Sequence, residues 1–168
     1  PQFICNSGAL TGFEALLRWN SPKRGLVSPA HFIPVAEENG LVIEIDKWVL
    51  RRACELLAEN AWLPRLAVNI SARAICLPQV VTQVRKTLLE IGISPARLEL
   101  EVTETALVHD LNRALHNLRQ LKALGISIAM DDFGTGYSSL SLLYTFPFDR
   151  IKVDGSFIQL TGSNQRAD

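Results

Sequence analysis

The chain has 168 residues, 48% hydrophobic and 20% charged, with Lys+Arg and Asp+Glu balanced at 17 each. That is the composition of one soluble globular domain with a sizeable core. A zero net charge with only isolated basic pairs such as Lys23-Arg24 and Arg51-Arg52 argues against DNA as a partner, since bulk binding runs on counterion release.

No stretch reaches the roughly 20 apolar residues of a membrane-spanning helix. Pro1-Gln2-Phe3-Ile4 lacks the basic region of a secretory signal. A cytoplasmic location is expected, with any membrane anchor of the parent protein carried by other domains. Cys5, Cys54 and Cys76 are odd in number and contain no Cys-x-x-Cys pair. They are expected to be buried free thiols, which sets aside zinc and disulfide scaffolds.

In chain order, the first strand is expected over Phe13–Trp19. Ser28-Pro29 then opens a helix, with Ser28 as N-cap and Pro29 at the first helical position. Glu44–Leu57 has helical period, with Ile45, Trp48, Val49, Ala53, Leu56 and Leu57 on one face. A second strand follows at Leu66–Ile70. Ser94-Pro95 opens a shorter turn before a strand at Leu98–Thr103. Asn112–Leu124 is a helix whose stripe is Leu111, Leu115, Leu118, Leu121 and Leu124, with Gly125 as its C-cap. Strands at Ile126–Met130 and Arg150–Val153 complete the pattern.

Strand–helix units of about 30 residues imply a parallel sheet, either a barrel or a doubly wound layer. Glu14, Asn69, Glu101 and Asp131 sit in or at the carboxyl ends of successive strands. A doubly wound sheet uses a few strand ends at one crevice, whereas a barrel gathers all of them at one mouth. A barrel is therefore expected. Eight strands typically need about 250 residues, so the chain is expected to be incomplete at its C-terminus, as one partial domain over residues 1–168.

Glu14 inside an apolar strand needs a partner: either a cation or an interior ion pair, for which Arg18 is a candidate. In Leu98-Glu99-Leu100-Glu101-Val102-Thr103-Glu104, alternation puts Glu99 and Glu101 on one face, with Glu104 just past the strand. Two inward glutamates so close repel unless a cation lies between them; the alternative is one inward acid with the others solvated. Asp131-Asp132-Phe133-Gly134-Thr135-Gly136 follows an apolar run directly. Adjacent aspartates there can hold one or two ions, or cap the next helix. Asn69 is either a ligand or a turn former. Lys152, within Ile151-Lys152-Val153, is expected to point into a polar cavity. His31, His109 and His116 have no ligand spacing. Oxygen donors without Cys or His favour Mg²⁺ or Mn²⁺ over Zn²⁺, and two such ions can clamp a phosphodiester.

These segments resemble the EAL family of cyclic-di-GMP phosphodiesterases. Glu14-Ala15-Leu16 is the signature, in the context Glu14-Ala15-Leu16-Leu17-Arg18-Trp19. Further matches are Phe32-Ile33-Pro34-Val35-Ala36-Glu37, Val68-Asn69-Ile70-Ser71 and Glu101-Val102-Thr103-Glu104. Asp131–Leu140 and Ile151-Lys152-Val153-Asp154-Gly155-Ser156-Phe157 complete the set. The resemblance implies an α/β fold, a modified TIM-type (β/α)8 barrel with one antiparallel strand.

It also implies hydrolysis of cyclic di-GMP, a bacterial second messenger, to linear pGpG by a two-metal Mg²⁺ or Mn²⁺ mechanism. Glu14, Asn69, Glu101 and Asp131 would hold one metal, with Asp131 bridging to a second held with Asp132. Lys152 would position the water, and Glu104 would brace the loop Asp132–Ser139, through which a homodimer is expected. Arg18 would contact a substrate phosphate and Leu16 would line the pocket. Flanking sensor or GGDEF domains would be partners in the parent. The family's preceding Gln, its A-E-G-V-E segment and a late substrate-contacting Gln fall outside these residues, so residues 1–168 alone are expected to be inactive. The competing reading is a catalytically silent cyclic-di-GMP receptor.

Overall fold

The computed structural model describes residues 1–103, 110–133, 146 and 148–155. Six strands form one sheet: β1 (Gln2–Phe3), β2 (Leu10–Ala15), β5 (Leu66–Asn69), β6 (Leu98–Thr103), β7 (Ser127–Phe133) and β8 (Arg150–Val153), in that spatial order. β1 runs antiparallel to β2, and every other neighbouring pair is parallel. Among the described residues, the antiparallel strand of this sheet is thus the first. A separate hairpin joins β3 (Trp19–Ser21) to β4 (Gly25–Val27). The helices are α1 (Pro29–Asn39), α2 (Val42–Glu59), α3 (Ala72–Ile75), α4 (Val80–Ile91) and α5 (Leu111–Ala123). Among the described residues, no helix is long and apolar enough to cross a membrane.

The period-2 alternation of each strand separates two environments. Leu66 and Val68 of β5, Leu98, Leu100 and Val102 of β6, and Ile128 and Met130 of β7 join the main hydrophobic core. They meet Leu50, Ala53, Cys54 and Leu57 of α2, Val84 and Leu88 of α4, and Leu115, Leu118 and Leu121 of α5. Each such buried aliphatic side chain contributes about 1.5–3 kcal/mol. The intervening residues, Ala67, Asn69, Glu99, Glu101, Ala129 and Asp131, lie on the sheet's other face. Small residues there leave room for the long acids, so the strands bury both faces with different chemistry.

Several local expectations hold. Ser28 has extended backbone and Pro29 opens α1. Pro95–Arg97 is a single 3-10 turn. Gly125 takes φ +95° just past α5, a left-handed conformation suited to glycine. Three expectations need correction. The strand expected over Phe13–Trp19 ends at Ala15, and Trp19 belongs to the hairpin. Trp48 is 60% exposed, because α2 turns Leu50, Ala53, Cys54 and Leu57 inward instead. Cys54 is a buried free thiol, but Cys5 is exposed and Cys76 only partly buried.

Candidate active site

β2, β6, β7 and β8 each send one charged side chain to the same point. Lys152 Nζ lies 2.8 Å from Glu101 Oε2, 2.9 Å from Asp131 Oδ2 and 3.3 Å from Glu14 Oε2. The three acids offer oxygens within 4.8 Å of one another. Asn69 Nδ2 donates to Glu14 Oε1 at 3.3 Å, and the parallel register sets Asn69 opposite Glu101. Five of the nine residues expected at the site thus form one connected group. Glu14 pairs with Lys152 and Asn69, while Arg18 Nη1 turns away to the carbonyl of Leu17 at 2.8 Å.

Glu101 is fully buried, and its Oε1 has no hydrogen-bond partner. Burial pushes its carboxyl up to about 7, against the opposing effect of the Lys152 ammonium. Burial would lower Lys152, but hydrogen bonds to Glu101 and Asp131 outweigh it and hold the amine well above the usual lysine range. The ammonium supplies the positive charge that three converging carboxylates require. A buried, unpartnered carboxylate oxygen beside two further acids and an amide is an oxygen-only donor set. It fits a hard divalent cation such as Mg²⁺ or Mn²⁺ better than Zn²⁺.

Asp132 follows Asp131 at the end of β7. It is the one non-glycine residue with positive φ, +54°, among the described residues. Its backbone N–H donates to Asp131 Oδ1 at 2.9 Å. Partial burial raises its carboxyl, with Asp131 and Asp154 adding to the effect. Glu104, and residues 134–139 of the expected loop, lie outside the described residues.

A cavity of about 450 Å³ adjoins the cluster, lined among others by Leu16, Arg18, Asp46, Asn69 and Thr103. The strand ends at Ala15, so Leu16 and Arg18 leave the sheet and reach this rim. An edge-to-face contact between Trp19 and Phe32, 5.6 Å between centroids, ties the following hairpin to α1. Asp46 accepts from Ser71 Oγ at 2.5 Å and Ser71 N at 3.2 Å. Ser71 Oγ in turn caps α3 through Ala74 N, fixing the chain just after Asn69. Burial pushes Asp46 up to about 6 despite those bonds.

Glu99 has a different partner set from Glu101. It is fully buried, with Arg65 Nη1 at 3.0 Å and Arg150 Nη1 at 3.3 Å. The expected clash between two inward glutamates is relieved by two arginines below and one lysine above. Sequence reading missed Arg65, Arg150 and Asp46. One signal was available: Arg150 and Lys152 are two apart on a strand and must share a face.

A family model described as the EAL domain matches residues 1–168. The chain belongs to the EAL domain family. It is 56% identical over 160 residues to an uncharacterized signaling protein of Caulobacter vibrioides, covering 95% of this chain and 20% of that protein. It is 44% identical over 171 residues to the cyclic di-GMP phosphodiesterase NbdA of Pseudomonas aeruginosa, covering 99% of this chain and 22% of NbdA. The chain spans about a fifth of the length of these curated relatives. The solved PaMucR phosphodiesterase in complex with c-di-GMP superposes with a TM-score of 0.86 at 40% identity, covering 96% of this chain and 67% of that one. The curled sheet with its outer helices is therefore part of the TIM-like barrel of EAL structures.

Proposed function

We propose that this EAL domain serves a cyclic-di-GMP phosphodiesterase, hydrolysing one phosphodiester bond to give linear pGpG in bacterial second-messenger signalling. The observation that carries this reading is the convergence of Glu14, Glu101 and Asp131 on Lys152 Nζ. Sequence identity to NbdA, named as such a phosphodiesterase, supports the substrate class.

Glu14, Asn69, Glu101 and Asp131 are the residues that would hold Mg²⁺ or Mn²⁺, and Asp132 with Asp131 a second ion. Bound there, such ions polarise a phosphoryl oxygen and make water a stronger nucleophile. Lys152 keeps its proton, so it acts as a donor and a charge: it orients water and offsets phosphate, and does not serve as the base. Arg18, from the cavity rim, would contact a substrate phosphate, with the planar fork that suits it. Leu16 supplies apolar surface for a base. Glu104 is assigned the bracing of loop 132–139, and that loop the contact between two copies of the domain. Flanking sensor or cyclase domains, and a cytoplasmic site of action, belong to the same reading.

The test is to incubate the full-length protein with cyclic di-GMP and Mg²⁺ or Mn²⁺ and look for pGpG. Metal-dependent product that disappears in Glu14→Ala is the expected result. Tight binding without turnover would identify a silent receptor instead. Neither binding nor turnover would remove both readings.

A further inference from the structure

β8 is pinned to β7 at its two ends, where Asp149 N donates to the Ile128 carbonyl at 2.9 Å and Asp154 N to the Phe133 carbonyl at 3.3 Å. Among the described residues it pairs with β7 alone, and that ladder slips between Met130 and Phe133, beside Lys152. Its other face is also open, with Ile151 42% and Val153 46% exposed. Yet Lys152 must arrive within hydrogen-bond distance of acids on two other strands. At the register slip between those pins, side-chain contacts are the further constraint on the height of Lys152.

Two side-chain rungs cross the interior from β8 to β6. Lys152 meets Glu101, and two residues earlier Arg150 meets Glu99. Both glutamates are fully buried and belong to a strand paired on both sides, so β6 is the rigid partner. Arg150 is held a second time, by Gln2 Oε1 at 2.5 Å, from β1. Glu99 has another cation, Arg65, which precedes β5 and reaches the other oxygen of the carboxylate at 3.0 Å. Its charge could be balanced without Arg150 being on this strand at all.

We propose that Arg150 is a positioning residue: its pairing with Glu99 sets the height of β8 and thereby the point where Lys152 Nζ meets Glu14, Glu101 and Asp131. Its bearing on turnover rests on the phosphodiesterase reading; its bearing on Lys152 does not. The arginine acts through the lysine and touches no substrate.

The experiment compares Arg150→Met, Arg150→Lys and Arg65→Met in the full-length protein. Steady-state hydrolysis of cyclic di-GMP at saturating Mg²⁺ is expected to show kcat lowered about tenfold or more in Arg150→Met, since displacement of a reacting group by about 1 Å can cost up to a hundredfold. KM should stay unchanged, Arg150→Lys should recover most of kcat, and Arg65→Met should retain it, although all three lower Tm. A second readout needs no turnover: acetylation by acetic anhydride, scored by mass spectrometry at Lys152 against the 73% exposed Lys86. Lys152 should be protected in the wild type and in Arg65→Met, and labelled several-fold faster in Arg150→Met. Wild-type protection of Lys152 in Arg150→Met overturns the proposal, as does equal loss of protection in Arg65→Met, which would reduce the pair to charge balance. If the wild type turns over no cyclic di-GMP, the phosphodiesterase reading fails, and the labelling pattern alone decides the role of Arg150.

Discussion

Lys152 Nζ donates to Glu101 Oε2 at 2.8 Å, while Oε1 of the same carboxylate is buried and bonded to nothing. One half of Glu101 is therefore neutralised by the protein and the other half is open to a further positive charge. The pair links β8 to β6 across the interior, so its strength is a matter of fold stability as well as chemistry.

Loss of the ammonium leaves three acids facing one another. Lys152→Met is expected to lower stability by about 3 kcal/mol in divalent-free buffer, the scale for breaking a buried pair. Added Mg²⁺ should restore more Tm to the variant than it adds to the wild type, because it supplies the missing charge. Thermal unfolding with and without Mg²⁺ checks this; equal responses would contradict it.

The Asp46 carboxyl is raised from 3.8 to about 6 by burial. An acid raised on folding holds a proton that the unfolded chain has already released, so its contribution to stability is full below 3.8 and is lost as pH rises to about 6. Asp46→Asn should flatten that stretch of the stability profile while keeping one acceptor for Ser71. Urea denaturation across this range measures it, and an unchanged slope would count against the assignment.

Asn117 on α5 donates from Nδ2 to the carbonyls of Ile75 at 2.7 Å and Leu77 at 3.0 Å, anchoring the segment that follows Asn69. Asn117→Ala strands two carbonyls and is expected to cost about 2–3 kcal/mol. The cost should appear as a lower urea midpoint with an unchanged slope.

Asp132 sits at φ +54°, where a glycine relaxes and a side chain is strained. Asp132→Gly should leave stability unchanged or raise it by a few tenths of a kcal/mol. The same variant should lose hydrolysis of cyclic di-GMP. Calorimetry beside a product assay separates the two effects, and a stable, fully active variant would remove Asp132 from the site.

β6 was legible to the residue, because Leu and Glu alternate across it and only a strand interior can hold that pattern. Arg150–Val153 was legible for the same reason. The start of the chain was not: Leu16, Leu17 and Trp19 are as apolar beyond the sheet as within it, so hydrophobicity did not reveal that the strand stops at Ala15. Trp48 was misplaced because an apolar side chain does not by itself say which face is buried: at 100° per residue it lies nearly opposite Leu50, Ala53, Cys54 and Leu57. In the site, Glu14, Asn69, Glu101, Asp131 and Lys152 were found because charged or amide groups at strand ends are costly without a purpose. The partners of Glu99 escaped because ion pairs between residues 34 and 51 positions apart leave no local trace; for Arg150, the spacing of two from Lys152 gave its face but not its partner.

Gln2 and Arg150 touch although 148 positions separate them. At a synthesis rate of about 5–20 residues per second, about 7–30 seconds pass between their emergence. For that interval Glu14, and then Glu101 and Asp131, exist on a nascent chain whose balancing lysine has not been made. The site is thus the last part of these strands to assemble. A newly made chain gains the balancing charge only when β8 pairs with β7 and brings Lys152 to the three acids.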